Sequence, residues 1–169
     1  MINNTIIDEQ NLHILKLLQE NGRISHSDIS STVGLSIPAV TERIKKMENA
    51  GIIKGYTAVL EAKKLEKDIT AIINVTINDP LAYENFAATV LGIGEVLDCY
   101  HVVGEFDYVL KVKTRNTETL EALIGKQIRA IHGVERTRTN VVLSTVKESL
   151  GIDLEILKKE MEGEGSGEK

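Results

Sequence analysis

The side chains whose types and spacing suit a chemical task are concentrated in the stretch Ile24 to Ile53 of this 169-residue chain. On a helical wheel over residues 36–50, Pro38, Ala39, Glu42, Lys45, Lys46 and Asn49 share one face, with Thr41 and Arg43 on its flanks. Small residues near a helix start let the backbone approach a groove, and long cations further along reach phosphates. That is the chemistry of a DNA recognition helix, and its plain alternative is the solvated face of a helical hairpin. Glu42 cuts both ways, because a carboxylate can accept from cytosine but repels phosphate. The remaining reactive groups do not assemble. His13, His26, His101 and His132 have no cysteine partners at zinc spacing, and Cys99 with His101 on one strand face supplies only two ligands. Gly92-Ile93-Gly94 lacks the preceding strand and the third glycine of a dinucleotide loop, and no Gly-x-Ser-x-Gly motif occurs. No catalytic residue, metal site or cofactor is expected.

The elements that must position the basic face are signalled locally. Ser25 is placed to N-cap a helix, with Asp28 completing a capping box and Ile24 and Ile29 forming a hydrophobic staple. Gly34 ends that helix, Ser36 caps the next, Leu35 and Val40 form a second staple, and Pro38 is tolerated in a first turn. Ile37, Val40, Ile44 and Met47 make the inward stripe of the second helix. Upstream, Asp8 caps a helix to about Asn21 with Leu12, Leu15 and Leu18 facing in and Gly22 as its stop. Three helices, 8–21, 25–33 and 36–50, thus make a helix-turn-helix unit. After Gly51, Ile52-Ile53 and Tyr56 to Leu60 are expected as short strands around Lys54-Gly55, forming a wing or a strand leading outward. The charged run EAKKLEKD from Glu61 marks the domain boundary, with 61–67 as linker.

Beyond it the rhythm changes. Ile69, Ala71, Ile73, Val75 and Ile77 alternate as a strand, and Asp79-Pro80 opens a helix to about Leu91. A strand at Val96 to Val103, a turn at Gly104 to Asp107 and a strand at Tyr108 to Lys113 follow. Thr117 to Ile131 is expected to be helical, and Val134 to Val146 is the last strand. The order β-α-β, β-α-β gives a ferredoxin-like domain over residues 68–152, hence an α+β chain with an N-terminal winged helix-turn-helix. Apolar residues on both faces of the last strand (Val141 and Leu143 against Val142 and Val146) call for a second cover, supplied most simply by the same sheet of another subunit. The end of the chain, 153–169, continues as a charged helix that dissolves into the disordered GEGSGEK.

Charge refines this. The formal net charge is −5, yet residues 1–60 carry six acids and six bases, so the whole acidic excess lies further on. DNA would then be met by a local basic edge and not by a global field. The lone Cys99 fits a reducing compartment, and no signal peptide or membrane span is read, so a cytoplasmic protein is expected.

With both halves in view the chain resembles the Lrp/AsnC (leucine-responsive, feast/famine) family of transcription regulators. The resemblance rests on NGRIS (21–25), VGLS (33–36), ERIKKME (42–48), AGIIKGYTAVL (50–60), HVVGEFDYVLKV (101–112) and GVERTRTNVV (133–142), in that order and spacing. It implies a helix-turn-helix followed by a ferredoxin-like (RAM-type) effector and oligomerisation domain, and a homo-oligomer: a dimer, assembling further to a tetramer or octamer. It implies sequence-specific binding of double-stranded DNA that responds to a small molecule, often an amino acid. DNA contacts would fall on Ser36, Ala39, Thr41, Arg43, Lys45 and Lys46; Arg43 either meets phosphate or pairs with a neighbouring acid. The effector site implied lies between dimers, at Val102, Gly104, Asp107, Asn140, Val141 and Val142, with Asp107 for an ammonium and backbone N–H groups near Gly104 for a carboxylate. Without the resemblance, Gly104 and Asp107 read simply as turn residues. Asn140 stands where members often carry an aromatic residue. Two alternatives share the architecture. One is an architectural DNA-binding protein without effector. The other is an enzyme similar to the sirohaem decarboxylases, with His101 facing a tetrapyrrole, although those carry an Arg-Arg stretch where this chain has Lys54-Gly55-Tyr56.

Overall fold

Each helix of the N-terminal region starts at a side chain that satisfies an otherwise unpaired amide. Asp8 accepts from Asn11 N (2.7 Å) at the head of α1 (Glu9–Glu20), and Ser25 accepts from Asp28 N (3.1 Å) at the head of α2 (His26–Val33). Ser36 accepts from Ala39 N (3.4 Å) at the head of α3 (Ile37–Asn49). The expected capping box at α2 is not reciprocal: the Asp28 carboxylate takes the Ser25 hydroxyl (2.6 Å) instead of the Ser25 amide. Gly34 sits at φ +71° between α2 and α3, a conformation that glycine adopts without steric cost.

The computed structural model describes residues 6–164. They divide into two units, one of residues up to 59 together with those from 149 onward, the other of residues 60–148. In the first unit Ile14, Ile29, Val33, Val40, Ile44 and Met47 form the core, with Leu15, Leu18, Ile24 and Leu35 partly buried against it. Two expectations need correction. Ile14, left out of the predicted inner stripe of α1, is completely buried. Ile37, placed in the stripe of α3, is 47% exposed, because the first turn of the helix extends past the core.

One further correction concerns the segment between the domains, while the end of the chain is helical as expected. Residues 51–60 form no strand, so the expected wing strands are absent among the described residues. A two-stranded ribbon needs an apolar face to pack, and Val59 and Leu60 are exposed. The end of the chain forms α6 (Leu154–Glu164), which returns to α1. Gln19 takes the backbone of Ile152 with both ends of its amide (2.7 and 3.1 Å), and Lys16–Glu155 (3.0 Å) and Lys158–Glu9 (3.1 Å) pair across the two helices. Leu12 is buried as well and lines a groove with Leu17, Val33 and Leu154. The expected disordered stretch falls largely beyond residue 164, outside the described residues.

The second unit is a four-stranded antiparallel sheet in the order β2-β3-β1-β4, with β1 Ile69–Ile77, β2 Val96–His101, β3 Tyr108–Thr114 and β4 Val134–Val141. Ala71, Ile73, Val75 and Ile77 alternate inward beside Tyr108, Leu110 and Val112. They are covered by α4 (Tyr83–Leu91, with Phe86 and Val90) and by α5 (Thr117–Ala122), which continues as a π-helical turn over Leu123–Ile128. The helix expected from Asp79 begins with a 3-10 turn at Pro80–Ala82, and the one expected to Ile131 changes its winding at Leu123. β4 stops at Val141 and not at Val146, and β2 stops at His101 and not at Val103. β1 begins at Ile69, so after Val142 N bonds Thr70 O (2.9 Å) no strand remains to pair with, and Leu143 and Val146 are exposed.

Candidate functional site

The outer face of α3 is open but less freely charged than its sequence suggests. Ser36 is spent on capping, Ala39 lies half-buried one turn in, and Lys45 is exposed with no ion-pair partner among the described residues. Lys46 pairs with Glu42 one turn earlier (2.8 Å), which answers the objection that Glu42 would repel phosphate. Lys46 and its hydrogen bond in turn hold the Glu42 carboxyl below its ordinary value. Thr41 donates its hydroxyl to Ile37 O (2.9 Å) and touches His26 Nδ1 of α2 (2.9 Å).

Arg43 is turned inward on the neighbouring acid. Its Nη1 lies 2.6 Å from Asp8 Oδ2 and 3.0 Å from Asn11 Oδ1, so it ties α3 to the N-cap of α1. Partial burial pushes the Asp8 carboxyl up, but the Arg43 hydrogen bond, the capped amides and the guanidinium charge outweigh it and hold it below the usual value. Beside this face Leu18, His26, Thr41, Lys45, Glu48 and Tyr56 line a cleft of about 360 Å³. Burial, reinforced by the Glu48 carboxylate at 3.0 Å, pushes the Tyr56 hydroxyl up to about 12, so it stays a donor.

In the second unit the expected effector residues fall into two groups. Val102, Gly104 and Asp107 share the β2–β3 hairpin, closed by Val102 N on Asp107 O (2.9 Å), with Gly104 at φ +155°. Asn140 and Val141 lie opposite Ile72 and Ala71 of β1, whereas Tyr108, next to the hairpin, lies opposite Val75. Three to four strand residues, about 10–13 Å, therefore separate the groups along β1, and β3 and β1 intervene laterally. One chain alone does not bring them together.

Asp107 is already occupied. One carboxylate oxygen accepts from Ile77 N (2.7 Å), the other from the Tyr83 hydroxyl (2.8 Å), and its own amide donates to Val75 O (3.0 Å). The turn-residue reading is thus built into the fold, and a ligand ammonium would have to share a satisfied carboxylate. The Asp107 hydrogen bond, then burial, raises the Tyr83 hydroxyl. Around it Tyr108 stacks on His101 (centroids 4.8 Å) and leans on Phe86 (4.6 Å). Sequence reasoning allowed Arg43 an acid partner without naming it and missed the contacts of Asn11 and Tyr83, since nothing local marks a partner so far along the chain. No group of three or more His, Cys, Asp or Glu side chains poised for a metal occurs among the described residues.

Against known proteins, residues 7–54 match a family described as winged helix-turn-helix DNA-binding, and residues 70–152 match the Lrp/AsnC ligand-binding domain. The leucine-responsive regulatory protein of Haemophilus influenzae is 36% identical over 148 residues, 86% of this chain and 89% of that protein. This chain belongs to the Lrp/AsnC family of transcriptional regulators. The leucine-responsive regulatory protein of Escherichia coli K12 is likewise 36% identical, over 85% of this chain and 88% of its own length. Among solved structures, a transcriptional regulator of Neisseria meningitidis in complex with L-methionine superposes with a TM-score of 0.85 at 32% identity, covering 89% of this chain and 99% of that one. Escherichia coli AsnC does so with a TM-score of 0.79 at 26% identity, covering 84% and 95%. As a member this protein is an α+β, DNA-binding regulator with a separate ligand-binding domain. No described helix is long and apolar enough to cross a membrane.

Proposed function

We propose that this protein binds operator DNA as a dimer or larger homo-oligomer in the cytoplasm, and that an amino acid alters that binding without being chemically changed. The exposed α3 face carries the reading. Ser36 and Ala39 let its first turn approach the groove, Thr41, Lys45 and Lys46 run along it, and Arg43 holds the helix in place from behind. Residues 1–60 act as the DNA-binding domain, 61–67 as linker, and 68–152 as the effector and oligomerisation domain. The separation of Val102, Gly104 and Asp107 from Asn140, Val141 and Val142 supports an effector site completed by another subunit. The L-methionine complex of the Neisseria relative supports an amino acid as the ligand class.

The test is binding of the purified protein to its own upstream DNA, against unrelated DNA of equal length, with and without a pool of the twenty amino acids. Preference for the upstream DNA that changes with the pool, together with a sedimentation shift, is expected. Equal affinity for both DNAs favours an architectural role. Absence of binding at low salt, with a chromophore on the purified protein, favours the decarboxylase-like reading.

A further inference from the structure

We propose that His26, at the first position of α2, is a DNA-backbone contact held in place by Thr41, and that it makes DNA binding proton-linked. The inference rests on the reading of α3 as the recognition helix. In a helix-turn-helix the first helix crosses the sugar-phosphate backbone while the second enters the groove. His26 is exposed at the crossing helix, and its Nδ1 lies 2.9 Å from the hydroxyl of Thr41, on the flank of the entering one. Lys45 follows Thr41 by one turn and lines the same cleft, so Lys45 and His26 flank Thr41. Of the cations on α3, Arg43 is turned onto Asp8 and Lys46 shares its charge with Glu42. A second cation beside Lys45 has a clear use there.

The proton count places a proton on Nδ1, and a phosphate partner at Nε2 then calls for a second one. Thr41 has a single hydroxyl proton, and Ile37 O, at 2.9 Å, accepts it. His26 Nδ1 then donates to Thr41 Oγ1. In the neutral ring Nε2 would be a lone pair that repels phosphate, whereas in the imidazolium Nε2 gains a proton and can donate to phosphate while every other bond is kept. The alternative neutral tautomer requires Thr41 to give up Ile37 O. The charged groups around the ring leave it free for this role. Glu48 of α3 is engaged by the Tyr56 hydroxyl from the following segment, and Asp28 of α2 by Ser25. Lys45 is the cation that lines the same cleft. Because DNA holds the charged form, affinity rises as pH falls.

The experiment measures the affinity of the full-length protein for its upstream DNA at pH 5.5 and 8.5, each over a salt series. The wild type is expected to bind about three- to fivefold more tightly at pH 5.5. One added phosphate contact should also steepen the slope of log affinity against log salt by about 0.9. His26→Gln should lose both differences, and His26→Lys should show the tighter binding and steeper slope at either pH. Thr41→Val, which removes the hydroxyl that orients the ring, should reduce the pH difference. A wild type without pH dependence, or a His26→Gln protein with the wild-type dependence, overturns the proposal. A wild type that binds no DNA at either pH overturns the recognition-helix reading itself, an outcome separable from the first two.

Discussion

Replacing Asp8 by alanine removes two interactions with one carboxylate, and their sum can be worked out. The N-cap bond to Asn11 N is worth about 1 kcal/mol, and the half-exposed pair with Arg43 about 0.5–1 kcal/mol, so Asp8→Ala should cost roughly 1.5–2 kcal/mol in the helix-turn-helix unit. Asp8→Asn keeps a cap acceptor and loses only the ion pair, so it should cost about 0.5–1 kcal/mol. Urea unfolding combined with hydrogen exchange of the α1 and α3 amides reads both in the intact chain. Asp8 and Arg43 should also couple: the Asp8→Asn/Arg43→Ala double variant should be less destabilised than the sum of the singles by about 0.5–1 kcal/mol. The sign with pH is fixed too. The folded-state value of Asp8 is depressed, so its contribution is complete above the unfolded value of 3.8 and is lost as pH falls through the folded one. Additive singles, or an Asp8→Ala cost below about 0.5 kcal/mol, would refute the view that Arg43 braces α3 from within.

Gly133→Ala should destabilise the ferredoxin-like unit by more than about 2 kcal/mol, read by thermal unfolding, because a Cβ would stand 2.3 Å from that of Ala82 at a φ of +87°. Asp107→Asn should cost about 1–2 kcal/mol, since both bonds lose their charged acceptor and the amide NH2 meets Tyr83 Oη only if that hydroxyl turns to accept. Tyr83→Phe should cost less, because it leaves no donor unpaired; the reverse order in a melting comparison would contradict the hydrogen-bond assignment. Lys16→Glu should loosen α6 from α1, seen as faster exchange of the 152–159 amides, and adding Glu155→Lys should restore protection. Failure of that restoration would show that the ion pair does not hold the helix.

Sequence by itself determined what local physics decides. Asp8, Ser25 and Ser36 start their helices because a side-chain oxygen three residues before an orphan amide can cap it wherever the rest of the chain goes. Gly34 ends α2 for the same local reason, and the alternation from Ile69 to Ile77 fixes which face of β1 is buried. Order of the elements was enough for the α+β class, and the resemblance of the quoted sequence stretches for the family. Tertiary structure decided the rest, because each remaining question turns on partners distant in sequence. Arg43 meets Asp8 across 35 positions, the acid-pairing outcome that the sequence left open beside a phosphate contact. Asp107 is taken by Tyr83 and the Ile77 amide, and β4 ends where β1 has no more residues to offer. α6 packs on α1 through pairs that no periodicity announces. The residues expected at an effector site, joined in sequence reasoning by resemblance alone, lie apart in one chain because strand order, and not strand pattern, sets their separation.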